Sequence, residues 1–169
     1  MNSMREIKID KVVINIGVGE AGEKLIKAEK VLELLTHRKP VRTIARTTNK
    51  DLGIRKGMPI GCKVTLRKED TLNFLKEAFW VKNNKIADYS FDMEGNFSFG
   101  VADYTDFRDM KYDPDIGIFG FDISVTLARK GARVKSRRRA KGKIPKHHRI
   151  SPEEAKKFVR AKLNVEVVG

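Results

Sequence analysis

The cations of residues 129–149 are the residues whose type and spacing point most directly to a chemistry. This stretch, the basic run, holds eleven Lys or Arg, two His and no carboxylate. It has almost nothing apolar to bury and its charges repel one another, so we expect no settled structure until a polyanion neutralises it. The phosphate backbone of nucleic acid is the densest such partner. The candidate contacts are Arg133, Lys135, Arg137, Arg138, Arg139, Lys141 and Lys143.

Polar side chains in the first half of the chain form a second candidate site. In a strand over residues 60–67, Lys63, Thr65 and Arg67 would share one face, and the apolar residues between them would share the other. The polar face would offer hydrogen-bond donors to the phosphates and 2′-hydroxyl groups of RNA. An ordinary solvated face is the alternative. The members of this candidate site are Asn15, Arg38, Arg42, Arg46, Lys63, Thr65 and Arg67.

The net charge of +14 is unevenly distributed along the chain. Residues 1–87 hold nineteen basic and ten acidic side chains, whereas residues 88–122 hold two basic and nine acidic ones. This order indicates two surfaces of opposite sign, and the acidic surface suits a basic protein partner. No apolar stretch approaches the roughly 20 residues that span a membrane, and no signal peptide precedes the fold, so we expect an intracellular protein without a membrane partner.

The segment Gly17-Val18-Gly19-Glu20-Ala21-Gly22 matches the G-x-G-x-x-G turn of dinucleotide-binding enzymes. It follows a predicted strand and opens a predicted helix, as that turn requires. However, Arg46 stands near the position of the acidic ribose ligand, and no second crossover helix or catalytic constellation follows. We therefore favour a non-enzymatic protein without a cofactor, in which small residues let the helix leave the strand sharply. A nucleotide-binding enzyme is the alternative.

The remaining chemically capable residues favour structural roles. Cys62 is the only cysteine and lies in an apolar run, so we expect a small core residue. His147 and His148 lack the Cys or carboxylate spacing of a metal site, and no metal is predicted. Phe97 and Phe99 alternate like the base-stacking aromatics of RNA-recognition strands, but their acidic flanks favour core positions.

Hydrophobic periodicity and turn residues place these sites on a series of strands and helices. Strands are predicted over 7–16, 41–46, 60–67, 121–128 and 165–168, with a hairpin of 89–93 and 97–101. Helices are predicted over 20–36, 70–82 and 151–163, the last opened by a Ser151–Glu154 capping box. In the second helix, Leu72, Leu75, Phe79 and Trp80 are expected to face inward.

These elements predict an α+β fold with a single domain and a mostly antiparallel sheet. The helices are expected on one face of the sheet, and a basic C-terminal extension is expected to end in a helix. We expect an RNA-binding core at residues 1–128 and an extension at residues 129–169 packed on that core.

Four segments together resemble one known family, the fifth protein of the large ribosomal subunit, which binds 5S ribosomal RNA. The segments are 11–21 (KVVINIGVGEA), 36–43 (THRKPVRT), 52–66 (LGIRKGMPIGCKVTL), and 96–101 (NFSFGV) followed by 121–125 (FDISV). The resemblance covers essentially the whole chain in the right order. The basic run and the helix from Ser151 resemble the archaeal and eukaryotic form, and the lack of longer eukaryotic tails favours an archaeal source.

The resemblance implies a structural role in the cytoplasmic ribosome, where this family lies in the central protuberance and anchors 5S rRNA. It implies that Asn15, Arg38 and Thr65 belong to segments that bind 5S rRNA. It also implies contacts with large-subunit rRNA and neighbouring proteins, and a bridge to a small-subunit head protein. The loop expected to face P-site tRNA consists of Arg55, Lys56, Gly57 and Met58.

The chain departs from the bacterial pattern Thr-Gly-Gln-Lys-Pro at His37 and Arg38. A cation thus replaces a neutral amide at Arg38, and contact with an RNA phosphate would substitute for the hydrogen bond of that amide.

Overall fold

Residues 2–108 and 110–168, which the computed structural model describes, form seven strands and three α-helices. The strands are β1 (Ile7–Gly17), β2 (Val41–Ile44), β3 (Pro59–Leu66), β4 (Lys85–Ala87), β5 (Phe97–Val101), β6 (Phe121–Arg129) and β7 (Glu166–Val168). The helices are α1 (Glu23–Thr36), α2 (Glu69–Val81) and α3 (Pro152–Leu163). Asp109, one of the carboxylates of the predicted acidic surface, lies outside the described residues.

Five strands form one antiparallel sheet in the order β2-β3-β1-β6-β5. β1 is its central strand, because Asn15 pairs with Lys63 of β3 on one side and with Asp122 of β6 on the other. β4 and β7 form a separate parallel pair. The predicted α+β fold with a mostly antiparallel sheet is confirmed.

One face of the sheet carries the hydrophobic core, because alternate strand residues are apolar. Val12, Ile14 and Ile16 of β1 are at most 2 % exposed, and Ile123 and Val125 of β6 lie beside them on the same face. Helices α1 and α2 cover this face with residues at helical spacing. Their buried apolar residues are Leu25, Ala28, Val31, Leu32 and Leu35 of α1 and Phe74, Leu75, Ala78 and Phe79 of α2.

The C-terminal helix is held by a capping box and by an ion pair of which one partner, Arg129, is buried. Ser151 Oγ accepts a hydrogen bond from the Glu154 N–H, and the Glu154 carboxylate accepts one from the Ser151 N–H, as predicted. Arg129, at the end of β6, is 7 % exposed and donates to both carboxylate oxygens of Glu154 at 2.7 and 2.8 Å. The Ser151 N–H and then the Arg129 guanidinium lower the pKa of Glu154. Ala155 and Val159 of α3 join the core.

The predicted hairpin of residues 89–93 and 97–101 is wrong in its first half. A 3₁₀ turn, Asp88–Ser90, stands there instead, and a single bridge joins Phe91 to Phe97. The apolar and acidic residues alternate as in a strand, but the Phe91 ring packs on Phe97, with ring centroids 5.3 Å apart. The chain therefore turns before a ladder can form.

Two predictions for the helices are also wrong. Leu72 and Trp80 of α2 are 45 and 46 % exposed, because the core face of α2 is centred on Phe74, Leu75 and Phe79. Helix α1 begins at residue 23 rather than residue 20, since the backbone before it has a glycine cap with φ of 124°.

Candidate nucleic-acid interface

The sheet face opposite the helices is polar and exposed. Directly paired residues of antiparallel strands point to the same face, so Lys63, Asn15 and Asp122 form one row across β3, β1 and β6. A second row consists of Thr65, Val13, Ser124 and Ser98. Adjacent strands lie about 5 Å apart, so this open face presents ammonium, amide, hydroxyl and carboxylate groups at that spacing. The donors suit RNA phosphates, and the Asp122 carboxylate can accept a hydrogen bond from a 2′-hydroxyl.

The open face brings together three of the predicted residues and adds others. Asn15, Lys63 and Thr65 lie on it as expected from the alternation in β1 and β3. Sequence reasoning missed its second half, which consists of Asp122, Ser124, Thr126 and Ser98. The signal was present in β6, where apolar residues alternate with Asp122, Ser124 and Thr126. If the apolar residues of a strand face the core, the residues between them must face the other way.

Arg42 lies on the helix side of the sheet. It pairs in register with the buried Cys62, so its side chain points away from the open face. There its guanidinium binds the carboxylate of Glu29 in α1, with Nη2 donating to Oε2 at 3.0 Å. The hydrogen bond from Arg42 lowers the pKa of Glu29. The structure therefore separates Arg42 from Asn15 and Lys63.

A groove of about 800 Å³ lies beside the open face, where β3 ends and α2 begins. Its cations are Arg38, Lys39, Lys63, Arg67 and Lys68. Arg38 donates to Asp70 at 2.5 Å, and Arg67 lies 3.6 Å from Asp10. Exposed pairs of this kind contribute about 0–1 kcal/mol, so both arginines can exchange their carboxylate for a phosphate. Sequence reasoning missed Lys39 and Lys68 because each belongs to a loop whose path depends on the fold.

The tip loop, residues 45–58 between β2 and β3, is a small ordered hairpin. Asn49 and Ile54 exchange backbone hydrogen bonds of 2.8 and 2.9 Å. Thr48 Oγ1 accepts a hydrogen bond from the Lys56 N–H at 3.1 Å. Met58, one of the four residues expected to face P-site tRNA, is half-buried. The exposed residues of this loop include Arg46, Lys50, Leu52, Arg55, Lys56 and Gly57.

The basic run consists of turns. After a 3₁₀ turn at Ala132–Lys135, the Gly142 N–H donates to the Val134 carbonyl at 3.2 Å and closes a loop. Within this loop, Arg137 Nε donates to the Ala140 carbonyl at 2.7 Å. All seven predicted cations are exposed, namely Arg133, Lys135, Arg137, Arg138, Arg139, Lys141 and Lys143.

The tip loop and the basic run lie at opposite ends of the central strand. Gly17, at one end of β1, pairs with Gly61 beside the tip loop. Ile7, at the other end, pairs with Arg129, where the basic run begins. At about 3.3 Å per residue, these ends are roughly 30 Å apart. The open face therefore lies between two cationic elements.

The acidic segment divides into two parts with different surroundings. In the paired turn, residues 88–96, Asp88 lies 2.5 Å from Lys156 and Glu94 lies 3.5 Å from Lys135. Asp92 accepts a hydrogen bond from the Asn96 side chain at 2.8 Å. In the acidic loop, residues 103–115, no carboxylate of the described residues forms an ion pair. Two of the three carboxylates in the paired turn are thus ion-paired, whereas the described carboxylates of the acidic loop are not.

The glycine-rich turn lacks the surroundings of a dinucleotide site. β2 runs parallel to β1, but β3 lies between them, so α1 does not join adjacent parallel strands. Cys62 is buried, and burial followed by the nearby Glu29 carboxylate raises the pKa of its thiol to about 11. The thiol is therefore protonated at neutral pH and is not activated as a nucleophile.

Neither a metal-binding group nor a membrane-spanning helix is found in residues 2–108 and 110–168. No group of three or more His, Cys, Asp or Glu there is placed to hold a metal ion. None of the helices there has the length and apolar character that a membrane span requires.

Two protein-family models match the chain. The model for ribosomal protein L5 matches residues 2–55, and the model for the C-terminus of the same ribosomal family matches residues 59–158. The large ribosomal subunit protein uL5 of Picrophilus torridus is 60 % identical over 169 residues, which cover 99 % of this chain and 96 % of the relative. The same protein of Thermoplasma volcanium is 56 % identical and covers 99 % of both chains.

A more distant relative extends the same match. The large ribosomal subunit protein uL5 of Methanoregula boonei is 48 % identical over 164 residues, which cover 97 % of this chain and 99 % of the relative. Together the two models span the open face, the basic run and the tip loop as far as residue 55. The chain therefore belongs to the ribosomal protein L5 family.

Proposed function

We propose that this chain is a structural, non-enzymatic component of the large subunit of the cytoplasmic ribosome and that its open face binds 5S rRNA. The observation that supports 5S binding is the row of Lys63, Asn15 and Asp122 with the hydroxyl row beside it. Membership of the L5 family supports the ribosomal assignment, since its relatives are large-subunit proteins. The open face reads the shape of the RNA, and the lysines of the adjoining groove contact its phosphates.

The basic run contacts a second RNA element, which we propose to be large-subunit rRNA. Its exposed cations lie roughly 30 Å from the tip loop along β1, so one rigid protein can hold two RNA segments at a fixed separation. Although the sequence predicts no settled structure for this run, its path is defined by internal hydrogen bonds, and the RNA phosphates neutralise its exposed cations. The boundary between residues 128 and 129 would then separate the core, which binds 5S rRNA, from the extension, which binds the second RNA element.

Asn15→Ala or Thr65→Ala is expected to weaken binding to 5S rRNA about fivefold, because each removes one hydrogen-bonding group worth about 1 kcal/mol. Binding to an unrelated RNA hairpin of equal length should change much less, since that hairpin is held by phosphate contacts. Filter binding at one salt concentration measures both affinities.

Asn73→Ala is the matched control for these variants. Asn73 is exposed on α2, in the layer of helices opposite the open face, so both RNAs should bind this variant as they bind the wild type. Equal losses on 5S rRNA and on the unrelated hairpin would contradict specific readout by the open face.

The tip loop contacts P-site tRNA in this proposal. Arg55→Ala with Lys56→Ala should raise the dissociation rate of P-site tRNA about tenfold, because two exposed phosphate contacts are lost at the far end of the molecule from the basic run. The measurement uses ribosomes assembled with the variant chain. Lys27→Ala with Lys30→Ala in α1 removes the same charge elsewhere, and a similar effect of this control would refute the assignment.

The acidic loop forms the bridge to a small-subunit head protein in this proposal. Its described carboxylates form no ion pair with the described residues, so a basic protein surface is complementary to it. An open cleft of about 1000 Å³ lies beside it, lined by Leu34, Phe74, Phe107 and Tyr112 together with Asp113. The cleft can receive an apolar side chain of the same partner.

A further inference from the structure

We infer that Tyr89 stacks on an unpaired nucleobase of the RNA that the basic run holds. The inference rests on the proposed RNA-binding function and adds a site within it. The sequence places Tyr89 in an acidic segment, where RNA would be repelled. In the structure, the carboxylates of Asp88 and Glu94 in the same turn are ion-paired with Lys156 and with Lys135 and Arg149.

The side chain of Tyr89 is presented to solvent by a fixed backbone. It is 92 % exposed and sits in the middle of the 3₁₀ turn Asp88–Ser90. Before it, Asp88 binds Lys156 of α3 at 2.5 Å. After it, the Phe91 ring packs against the buried Phe97 at 5.3 Å. A tyrosine has only two side-chain torsions, so an anchored turn of this kind loses little conformational entropy when its ring makes a contact.

Two of the three carboxylates of the paired turn, those of Asp88 and Glu94, are ion-paired. Glu94 lies 3.5 Å from Lys135 and 3.9 Å from Arg149, both of the basic run. Asp88 is paired with Lys156, and Asp92 accepts hydrogen bonds within its own turn. These contacts fasten the basic run to the paired turn.

An exposed aromatic ring beside a cationic backbone-binding segment is the arrangement of single-stranded nucleic-acid sites. The cations hold phosphates, and the ring stacks on a base that is not in a duplex. The basic run itself contains no Phe, Tyr or Trp, so the paired turn supplies the group that the run lacks. A protein partner for Tyr89 would need an acidic surface to be complementary to the cations of the basic run. The phosphates of ribosomal RNA already provide that negative charge in excess.

Tyr89→Ala is expected to weaken binding to an RNA hairpin with a loop of unpaired adenosines by about 5- to 150-fold, the range for removal of one base–aromatic stack. Binding to a blunt RNA duplex with the same number of phosphates should not change. The slope of log affinity against log salt should also stay constant, because the ring contacts no phosphate. Tyr89→Phe should bind the hairpin like the wild type, since stacking needs the ring and not the hydroxyl.

Trp80→Ala is the matched control. Trp80 is an aromatic side chain 46 % exposed on α2, outside the basic run and the paired turn, so its removal should leave both RNAs bound as before. Equal affinities of the Tyr89→Ala and Trp80→Ala variants for the hairpin would overturn the inference. A loss in Tyr89→Phe as large as in Tyr89→Ala would overturn stacking as its cause. If the wild type binds neither RNA, the proposed function itself is wrong and the inference falls with it.

Discussion

Replacing Arg138, Arg139 and Lys141 with alanine should reduce the salt dependence of RNA binding, lowering the slope of log affinity against log salt by about 2 to 3. All three side chains are exposed, and none of them holds the internal hydrogen bonds of the basic run. The variant therefore removes phosphate contacts and leaves the path of the run intact. For each phosphate contact that the variant loses, about one counterion stays bound to the RNA, and the slope falls by about one.

The wild type sets the scale for this experiment. If it contacts six to ten phosphates, its affinity should fall by about 10³- to 10⁵-fold between 50 and 200 mM salt, with duplex DNA as the calibration. Lys24→Ala, Lys27→Ala and Lys30→Ala together remove the same charge from α1, and this triple control should leave the slope nearly unchanged. A similar slope for the two triple variants would show that bulk charge, rather than the basic run, attracts the RNA.

Arg129→Ala should lower the free energy of unfolding by about 2–3 kcal/mol, more than any exposed ion pair of this chain contributes. The side chain is 7 % exposed and holds Glu154 through two charged hydrogen bonds. Its Nε is buried without a hydrogen-bond partner among the described residues, and Glu154 is about half exposed, so the loss is smaller than for a fully buried pair. The melting temperature should fall by about 4–12 °C.

Lys130→Ala provides the comparison for Arg129→Ala. Lys130 forms an exposed pair with Glu6 at 3.1 Å, and its removal should cost at most about 1 kcal/mol. Equal melting temperatures of the two variants would show that Arg129 does not hold α3.

The effect of Arg129→Ala should also depend on pH. The folded state lowers the pKa of Glu154, so the stability that its carboxylate contributes is complete above the ordinary value of 4.5 and is lost as pH falls through the folded pKa. The difference between wild type and variant should therefore shrink in acid. Urea unfolding at pH 7 and pH 3 measures it, and a constant difference would contradict the assignment.

The sequence could predict elements whose signals are local. Helix α3 carries its own capping box, and β6 shows a strict alternation of buried apolar residues. The open face follows partly from the same alternation, since the orientation of Lys63 and Thr65 depends only on β3. Recognition of the family came from motifs that spread over the whole chain, and both family models confirm it.

The sequence alone could not predict features that depend on pairing between distant segments. The orientation of Arg42 depends on its register with Cys62 and on α1, which supplies Glu29. The surroundings of the paired turn depend on Lys135 and Lys156, which follow it by dozens of residues. Net charge along the sequence therefore could not show that Asp88 and Glu94 are ion-paired.

Because β1 is the central strand, its pairing during synthesis must wait for strands that are translated later. One of its two neighbours, β6, follows β1 only after residues 18–120 have been translated. At a rate of about 5–20 residues per second, the nascent chain keeps one edge of β1 unpaired for about 5–20 s. Separate expression of residues 2–55 and 59–158, the two segments that the family models match, would also split the sheet through its middle. Neither fragment alone should fold, and mixing the two is the way to regain the native sheet.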